Sequence, residues 1–279
     1  MKKILKTVAC MCQKRDVYNK EELINKCFIE FRNKLKLNNE LLKKGNLKLD
    51  NNVARFPLPE VVTCCGNCKG CYAQKQVFPN VASSRLNNLF LIETALKKED
   101  YKNKTIKKFV YELDKHYNDC QFLEKKAVMR WHDSGDIYSI EYLYLIINIA
   151  ELTPCVKHFT YTKNLLVWLE YKKLKDMGKI PANFNIVSSI IGNHVNYFDL
   201  IHNFNDEYKA LKQCIIWAKK HGLNIFMCNY AIKNLPIGDR FKLYKLAKRH
   251  KNFKIHKTPN KCGKCLKCCD YELVAFIKH

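Results

Sequence analysis

The 279 residues, 47% hydrophobic and 12% aromatic, suffice for a packed core of one large domain or two small ones, which excludes a globally disordered chain. Nine glycines and seven prolines exclude collagen-like and linker-dominated chains, and no apolar run approaches the roughly 18 residues of a membrane helix. Fifty basic against 26 acidic residues give a net charge of +24, a field that draws polyanions, although only seven of the fifty are arginines. The scarcity of arginine, with abundant Lys, Asn, Ile and Tyr, is also what an AT-rich coding sequence produces. Nucleic acid therefore stays open as a partner on charge, and a membrane does not.

In chain order, Met1-Lys2-Lys3-Ile4-Leu5-Lys6 begins like a signal peptide, but Lys6 interrupts its apolar stretch, which ends at Gln13. That is short for a signal core and points to a soluble, cytoplasmic protein. Residues 1–50 read as a polar N-terminal extension with one helix around Lys20 to Lys34. Cys10 and Cys12 lie in it, either as a metal pair or in a mobile segment. From Val53 the texture changes, and Arg55-Phe56-Pro57-Leu58-Pro59 leads into a cysteine-dense loop.

Beyond the loop, Asn80 to His116 is expected to be helical, in one or two pieces. Ala127-Val128-Met129-Arg130-Trp131 reads as a strand, and Ile140 to Leu152 as an amphipathic helix with Ser139 as N-cap and Pro154 past its end. His158 to Tyr161, Phe184 to Ile191, Leu223 to Cys228 and, last, Phe253 to Ile255 read as strands. Leu165 to Met177 (stopped by Gly178), Glu207 to His221 (closed by Gly222) and Arg240 to His250 read as the helices between them. Alternating strands and helices indicate βαβ units on a parallel sheet. About six units, fewer than the eight of a closed barrel, suit a partial (β/α) barrel or a doubly wound sheet. The expected fold is α/β, a partial barrel over residues 51–258 with a Cys-rich tail at 259–279. Function belongs at the C-terminal ends of the strands.

Fifteen cysteines, an odd number in a chain read as cytoplasmic, argue for metal ligands rather than a disulfide framework. Cys27, Cys120, Cys155 and Cys214 stand alone and read as small buried hydrophobes. Thr63-Cys64-Cys65-Gly66-Asn67-Cys68-Lys69-Gly70-Cys71-Tyr72-Ala73 carries three thiolates on one short loop, as Cys64-x3-Cys68-x2-Cys71 or Cys65-x2-Cys68-x2-Cys71. A structural zinc takes four ligands. Three local thiolates suit a [4Fe–4S] cluster with one open iron, or a closed zinc or iron–sulfur knot with a distant fourth ligand.

These residues resemble two families. Cys-x3-Cys-x2-Cys after a first strand, followed by βα units, resembles the radical S-adenosylmethionine superfamily. A closer likeness is to the phage gene product 88 family. It is carried by Gly45 to Leu49, Phe56-Pro57-Leu58-Pro59 with Thr63-Cys64, Cys68-Lys69-Gly70-Cys71-Tyr72-Ala73, Phe78-Pro79-Asn80-Val81, Arg130-Trp131-His132-Asp133-Ser134-Gly135-Asp136, Thr153-Pro154 with Val156-Lys157-His158, and Lys261-Cys262-Gly263-Lys264-Cys265. The superfamily resemblance implies a [4Fe–4S] cluster on Cys64, Cys68 and Cys71. Its open iron would chelate S-adenosylmethionine, and an electron from a donor such as flavodoxin or ferredoxin would cleave it to a 5′-deoxyadenosyl radical. Two features depart from that superfamily: Gly70, not an aromatic, precedes the third cysteine, and no Gly-Gly-Glu-Pro stretch follows the second strand. By resemblance Ser134, Gly135 and Asp136 stand in for it as cofactor-binding residues, with Tyr72, Ser188 and Ser189.

His132 and Asp133 are expected as the acid–base pair, at a strand end crowded by Arg130, Ser134 and Asp136; holding the loop is the competing role. Ser188 and Ser189 could equally be ordinary strand-end serines. Tyr161, Lys163, Cys228 and Asn229 end other strands and are pocket candidates. The run Cys262-Gly263-Lys264-Cys265-Leu266-Lys267-Cys268-Cys269 reads as a second metal knuckle on Cys262, Cys265 and Cys268, holding an iron–sulfur cluster or zinc or iron, with Cys269, His256 or Cys228 as fourth ligand. Two functions compete: an enzyme of radical S-adenosylmethionine type acting on an unknown, nucleic-acid or nucleotide substrate, and a non-catalytic metal-stapled nucleic-acid-binding module.

Overall fold

The computed structural model describes residues 40–45, 49–64, 79–189, 207–228, 237–256 and 273–274. The expected helix at Lys20 to Lys34 lies outside them. The strands are β1 (Lys43–Lys44), β2 (Val53–Arg55), β3 (Val128–Arg130), β4 (Lys157–Thr162), β5 (Phe184–Ser189), β6 (Ile225–Cys228), β7 (Phe253–His256) and β8 (Leu273–Val274). The helices are α1 (Glu60–Thr63), α2 (Pro79–Lys97), α3 (Glu99–Phe122), α4 (Ile140–Leu152), α5 (Leu165–Asp176), α6 (Glu207–Lys220) and α7 (Ile237–Arg249).

Local chemistry sets the element ends. Lys98 adopts an extended conformation between α2 and α3, and Glu99 and Asp100 then offset the dipole at the start of α3. Ser139 caps α4, its hydroxyl accepting from the Tyr142 N–H at 3.2 Å. Gly178, at φ +68°, ends α5 in the left-handed region.

The strands form one sheet in the order β1-β2-β3-β4-β5-β8-β6-β7. Among the described residues only β1 runs antiparallel to its neighbour, and the other pairs are parallel. From β2 to β5 the spatial order follows chain order, but β8 lies between β5 and β6, so the chain turns back across β6 after β7.

One register row, Ala54, Met129, His158 and Phe184, lies on the helix-bearing face. There the main core gathers Phe109 and Leu113 of α3, Tyr142 and Ile146 of α4, Trp168 of α5 and Leu211 of α6. Trp131 is its largest fully buried side chain, tilted on Phe109 at 5.3 Å and edge-on to Phe56 at 6.4 Å. Burial of such a side chain stabilises the fold by about 1.5–3 kcal/mol. The opposite face carries a separate small cluster of Leu49, Val53, Val128 and Phe159, with Tyr161 against it.

The sheet reaches further along the chain than sequence pattern suggests. β1 lies within the expected extension, where both Glu112 oxygens accept from the Leu41 N–H (3.0 and 2.9 Å) and one also from Leu42 (2.9 Å). β8 lies within the expected tail and pairs between β5 and β6, so Phe253–His256 is not the last strand. Two-residue strands carry no readable periodicity. Cys120 is buried as expected, whereas Cys155 is exposed, because it sits in the turn just past α4.

Candidate functional site

The chain leaves β2 at the C-terminal edge of the sheet, and residues 56–64 form a stem that ends at Cys64, where the cysteine loop begins. Two elements grip this stem. From the loop after β3, the Trp131 carbonyl accepts from the Phe56 N–H at 3.2 Å and the Ser134 carbonyl from the Leu58 N–H at 2.9 Å. The Ser134 hydroxyl lies 3.0 Å from the Leu58 carbonyl and 2.9 Å from Glu60 Oε2, and its single hydrogen serves one of them at a time. The Asp136 N–H donates to the Thr63 hydroxyl at 3.1 Å, and that hydroxyl donates to the Pro59 carbonyl at 2.8 Å. From α2, Arg85 pairs with Glu60 Oε2 at 2.8 Å and Asn88 donates to the Pro57 carbonyl at 2.8 Å.

Gly135 makes this contact possible. Its φ is +84°, and a Cβ there would fall 2.6 Å from Leu58 Cβ and 2.7 Å from Thr63 Oγ1. The Ser134-Gly135-Asp136 stretch thus holds the cysteine stem rather than standing open at a strand end. Asp136 is 3% exposed; its Oδ1 accepts from the Ile137 N–H at 2.7 Å and its Oδ2 from the Lys163 N–H at 2.8 Å. Burial pushes its carboxyl up to about 6, against the bonds from Thr162, Lys163 and Ile137, which favour the charged form. Both oxygens accept hydrogen bonds from backbone N–H groups of the fold.

His132 is buried as well. Its Nε2 lies 3.0 Å from the Tyr142 hydroxyl and its Nδ1 3.3 Å from the Thr160 hydroxyl. Because Thr160 donates to the Tyr161 carbonyl, the network assigns the proton to Nδ1, with Tyr142 donating to Nε2. Burial, with Arg130 adding to it, lowers the ring to about 3, so it is neutral at ordinary pH and satisfied at both nitrogens. The ring thereby ties the end of β3 to β4 and α4. His158 repeats the pattern: Trp131 Nε1 donates to its Nδ1 at 3.2 Å, and its Nε2 meets the Thr153 hydroxyl at 2.9 Å. Burial lowers it too to about 3. Asp133 forms an ion pair with Arg55.

Ser188 and Ser189, 7% and 8% exposed, are register partners of Leu273 and Val274 of β8. Cys64 is a half-buried thiol outside any disulfide. Cys65, Cys68, Cys71, Tyr72, Asn229, Cys262, Cys265, Cys268 and Cys269 lie outside the described residues, as do Cys10 and Cys12. Among the described residues no three His, Cys, Asp or Glu side chains group as metal ligands, and no helix is long and apolar enough to cross a membrane.

Arg55, Glu60, Thr63, Arg85 and Asn88 were not singled out by sequence. They act on partners up to 78 residues away, and only Thr63, beside Cys64, had a local signal. No curated protein and no solved structure matches the chain. The family model for Gene product 88 matches residues 31–271, and the chain belongs to that family.

Proposed function

We propose that this chain is an iron–sulfur enzyme of radical S-adenosylmethionine type, built as a partial (β/α) barrel of about six units, with Cys64, Cys68 and Cys71 as ligands of a [4Fe–4S] cluster. The observation that carries the reading is the stem: residues 56–64, which lead into the cysteine run, leave the C-terminal edge of a parallel sheet, where α/β folds bind ligands, and are held from two sides by buried polar contacts. The thiolate-rich donor set fits such a cluster. When bound, the cluster supplies the electron for reductive cleavage of S-adenosylmethionine, received from a flavodoxin- or ferredoxin-type donor.

The chain's own residues do the positioning. Ser134, Gly135 and Asp136 fix the stem and so aim the Cys64 thiol. Glu60 and Arg85 hold α1 in its orientation, while His132 and Tyr142 stiffen the strand end beneath it. A second metal knuckle on Cys262, Cys265 and Cys268 belongs to the same reading, with an iron–sulfur cluster or zinc or iron in it.

Anaerobically purified protein is expected to carry iron and sulfide, and to release 5′-deoxyadenosine with reductant and S-adenosylmethionine. Cys68→Ala should abolish the product. No product from cluster-replete protein overturns the enzyme reading. Stoichiometric zinc without iron or sulfide would instead favour the metal-stapled nucleic-acid-binding module, whose support is the +24 charge.

A further inference from the structure

α7 packs against β7, last in the sheet order, and turns Leu243 and Leu246 into the core. Its opposite side is apolar again. Ile237, Phe241 and Tyr244 are 78%, 70% and 45% exposed, at the four- and three-residue spacing that keeps side chains on one helix face. The exposed Lys248 continues the row. With Arg240, Lys242, Lys245 and Arg249 it gives α7 five basic residues against one acidic residue, Asp239, which pairs with Lys242 at 3.1 Å.

α3 shows the contrast: it too exposes aromatic rings, Tyr111 at 69% and Phe122 at 89%, but balances five lysines with five acidic residues. Rings on a net positive face meet a polyanion with two interactions at once. Their π-faces take bases by stacking, and the ammonium and guanidinium groups take phosphates. Bases are open to such stacking in a single strand, whereas in a duplex their faces are covered by their neighbours. Phe241 and Tyr244 lie about 4.5 Å apart along the helix axis, a step within reach of adjacent bases on a flexible strand. A membrane fits less well, because an interfacial helix needs a broad apolar face. α7 buries Leu243 and Leu246 in the core and places Lys248 in its outer row. A second copy of the chain, itself at +24, is repelled.

We propose that the outer face of α7 docks single-stranded nucleic acid, with Phe241 and Tyr244 stacking on bases and Lys245, Lys248 and Arg249 contacting phosphates. The surface does not depend on a cluster at Cys64, and its test reads binding alone, so it stands or falls apart from the enzyme reading. The full chain, purified anaerobically, is titrated into fluorescein-labelled oligothymidylate of about 12 nucleotides and followed by fluorescence anisotropy. Saturable binding that weakens as salt rises is expected. Phe241→Ala should weaken it about fivefold or more. Tyr111→Ala, which removes a similarly exposed ring from α3, should stay within about twofold.

Phe241→Leu keeps the apolar character and removes the ring. It should lose as much as Phe241→Ala, which tells stacking from plain hydrophobic docking. Lys245→Gln combined with Lys248→Gln should lower the slope of log affinity against log salt by about 1.4, the share of two phosphate contacts on a single strand. Both lysines are exposed, and this pair decides the matter if the Phe241 variants do not fold. No saturable binding, equal losses in Phe241→Ala and Tyr111→Ala, full affinity in Phe241→Leu, or an unchanged slope in the lysine pair would overturn the proposal. So would Phe241-dependent binding to phosphatidylserine-containing vesicles with none to the oligonucleotide, which would assign the face to a membrane.

Discussion

Gly135 sits so close to Leu58 that a Cβ placed on it would come within 2.6 Å of the Leu58 Cβ. The loop after β3 and the stem of the cysteine loop touch at a point where no side chain fits. Gly135→Ala meets both a φ of +84° and this overlap, with Thr63 Oγ1 at 2.7 Å on the other side. The left-handed conformation costs about 1–2 kcal/mol and the overpacking about 1–3 kcal/mol. Gly178→Ala shares the positive φ but has open space around its Cβ, so about 1 kcal/mol is expected there. Urea unfolding of the two variants separates strain from contact. Equal losses would mean that the stem does not press on the loop, and iron content per chain should fall only in Gly135→Ala.

Glu60 Oε2 accepts from Arg85 and lies within reach of the Ser134 hydroxyl, which joins α2, the stem and the β3 loop at one oxygen. Both charged side chains are largely buried, 12% and 8% exposed. Removing one member of a buried pair leaves the other charge poorly compensated, so Glu60→Gln should cost about 2–4 kcal/mol. Ser134→Ala should cost about 1 kcal/mol. Because the two share an acceptor, the double variant should depart from additivity by about 0.5 kcal/mol or more. Additive losses in urea midpoints would show that the two contacts act separately.

The helices and longer strands were legible because their signals are local. Ile140–Leu152 has its capping serine, an apolar stripe and a proline beyond it, and forms as read, with Ser139 capping it. The strands around Val128, His158, Phe184, Ile225 and Phe253 are apolar runs between turn residues, and all form. The site was half legible. Arg130 to Asp136 stood out as a polar stretch after a buried strand, yet its partners Arg55, Leu58, Glu60 and Thr63 come from another strand's end. Polarity alone does not tell a residue facing a ligand from one hydrogen-bonded within the fold, as Asp136 is to backbone N–H groups and His132 to the Thr160 and Tyr142 hydroxyls. β8 escaped notice because two residues, Leu273 and Val274, owe their place to pairing with β5 and β6.

Two buried neutral histidines should make the fold acid-sensitive in a window set by their shifts. His132 and His158 each fall from 6.5 to about 3, so the unfolded chain binds their protons first as pH drops. Their stabilisation is complete above about pH 6.5 and declines by about 1.4 kcal/mol per unit for each ring as pH falls toward 3. His116, lowered chiefly by burial, acts in the same direction. Asp136 has the opposite sign. Raised from 3.8 to about 6, its contribution is complete below 3.8 and lost as pH rises through 6, so it offsets one histidine between those values. Urea unfolding at pH 7, 6, 5 and 4.5 should give a positive slope of stability with pH. His158→Gln should flatten it by about 1.4 kcal/mol per unit, and Asp136→Asn should steepen it below pH 6 by a similar amount. An unchanged slope in His158→Gln would mean that this ring is charged in the folded protein, and the Trp131–His158–Thr153 chain of hydrogen bonds would have to be redrawn.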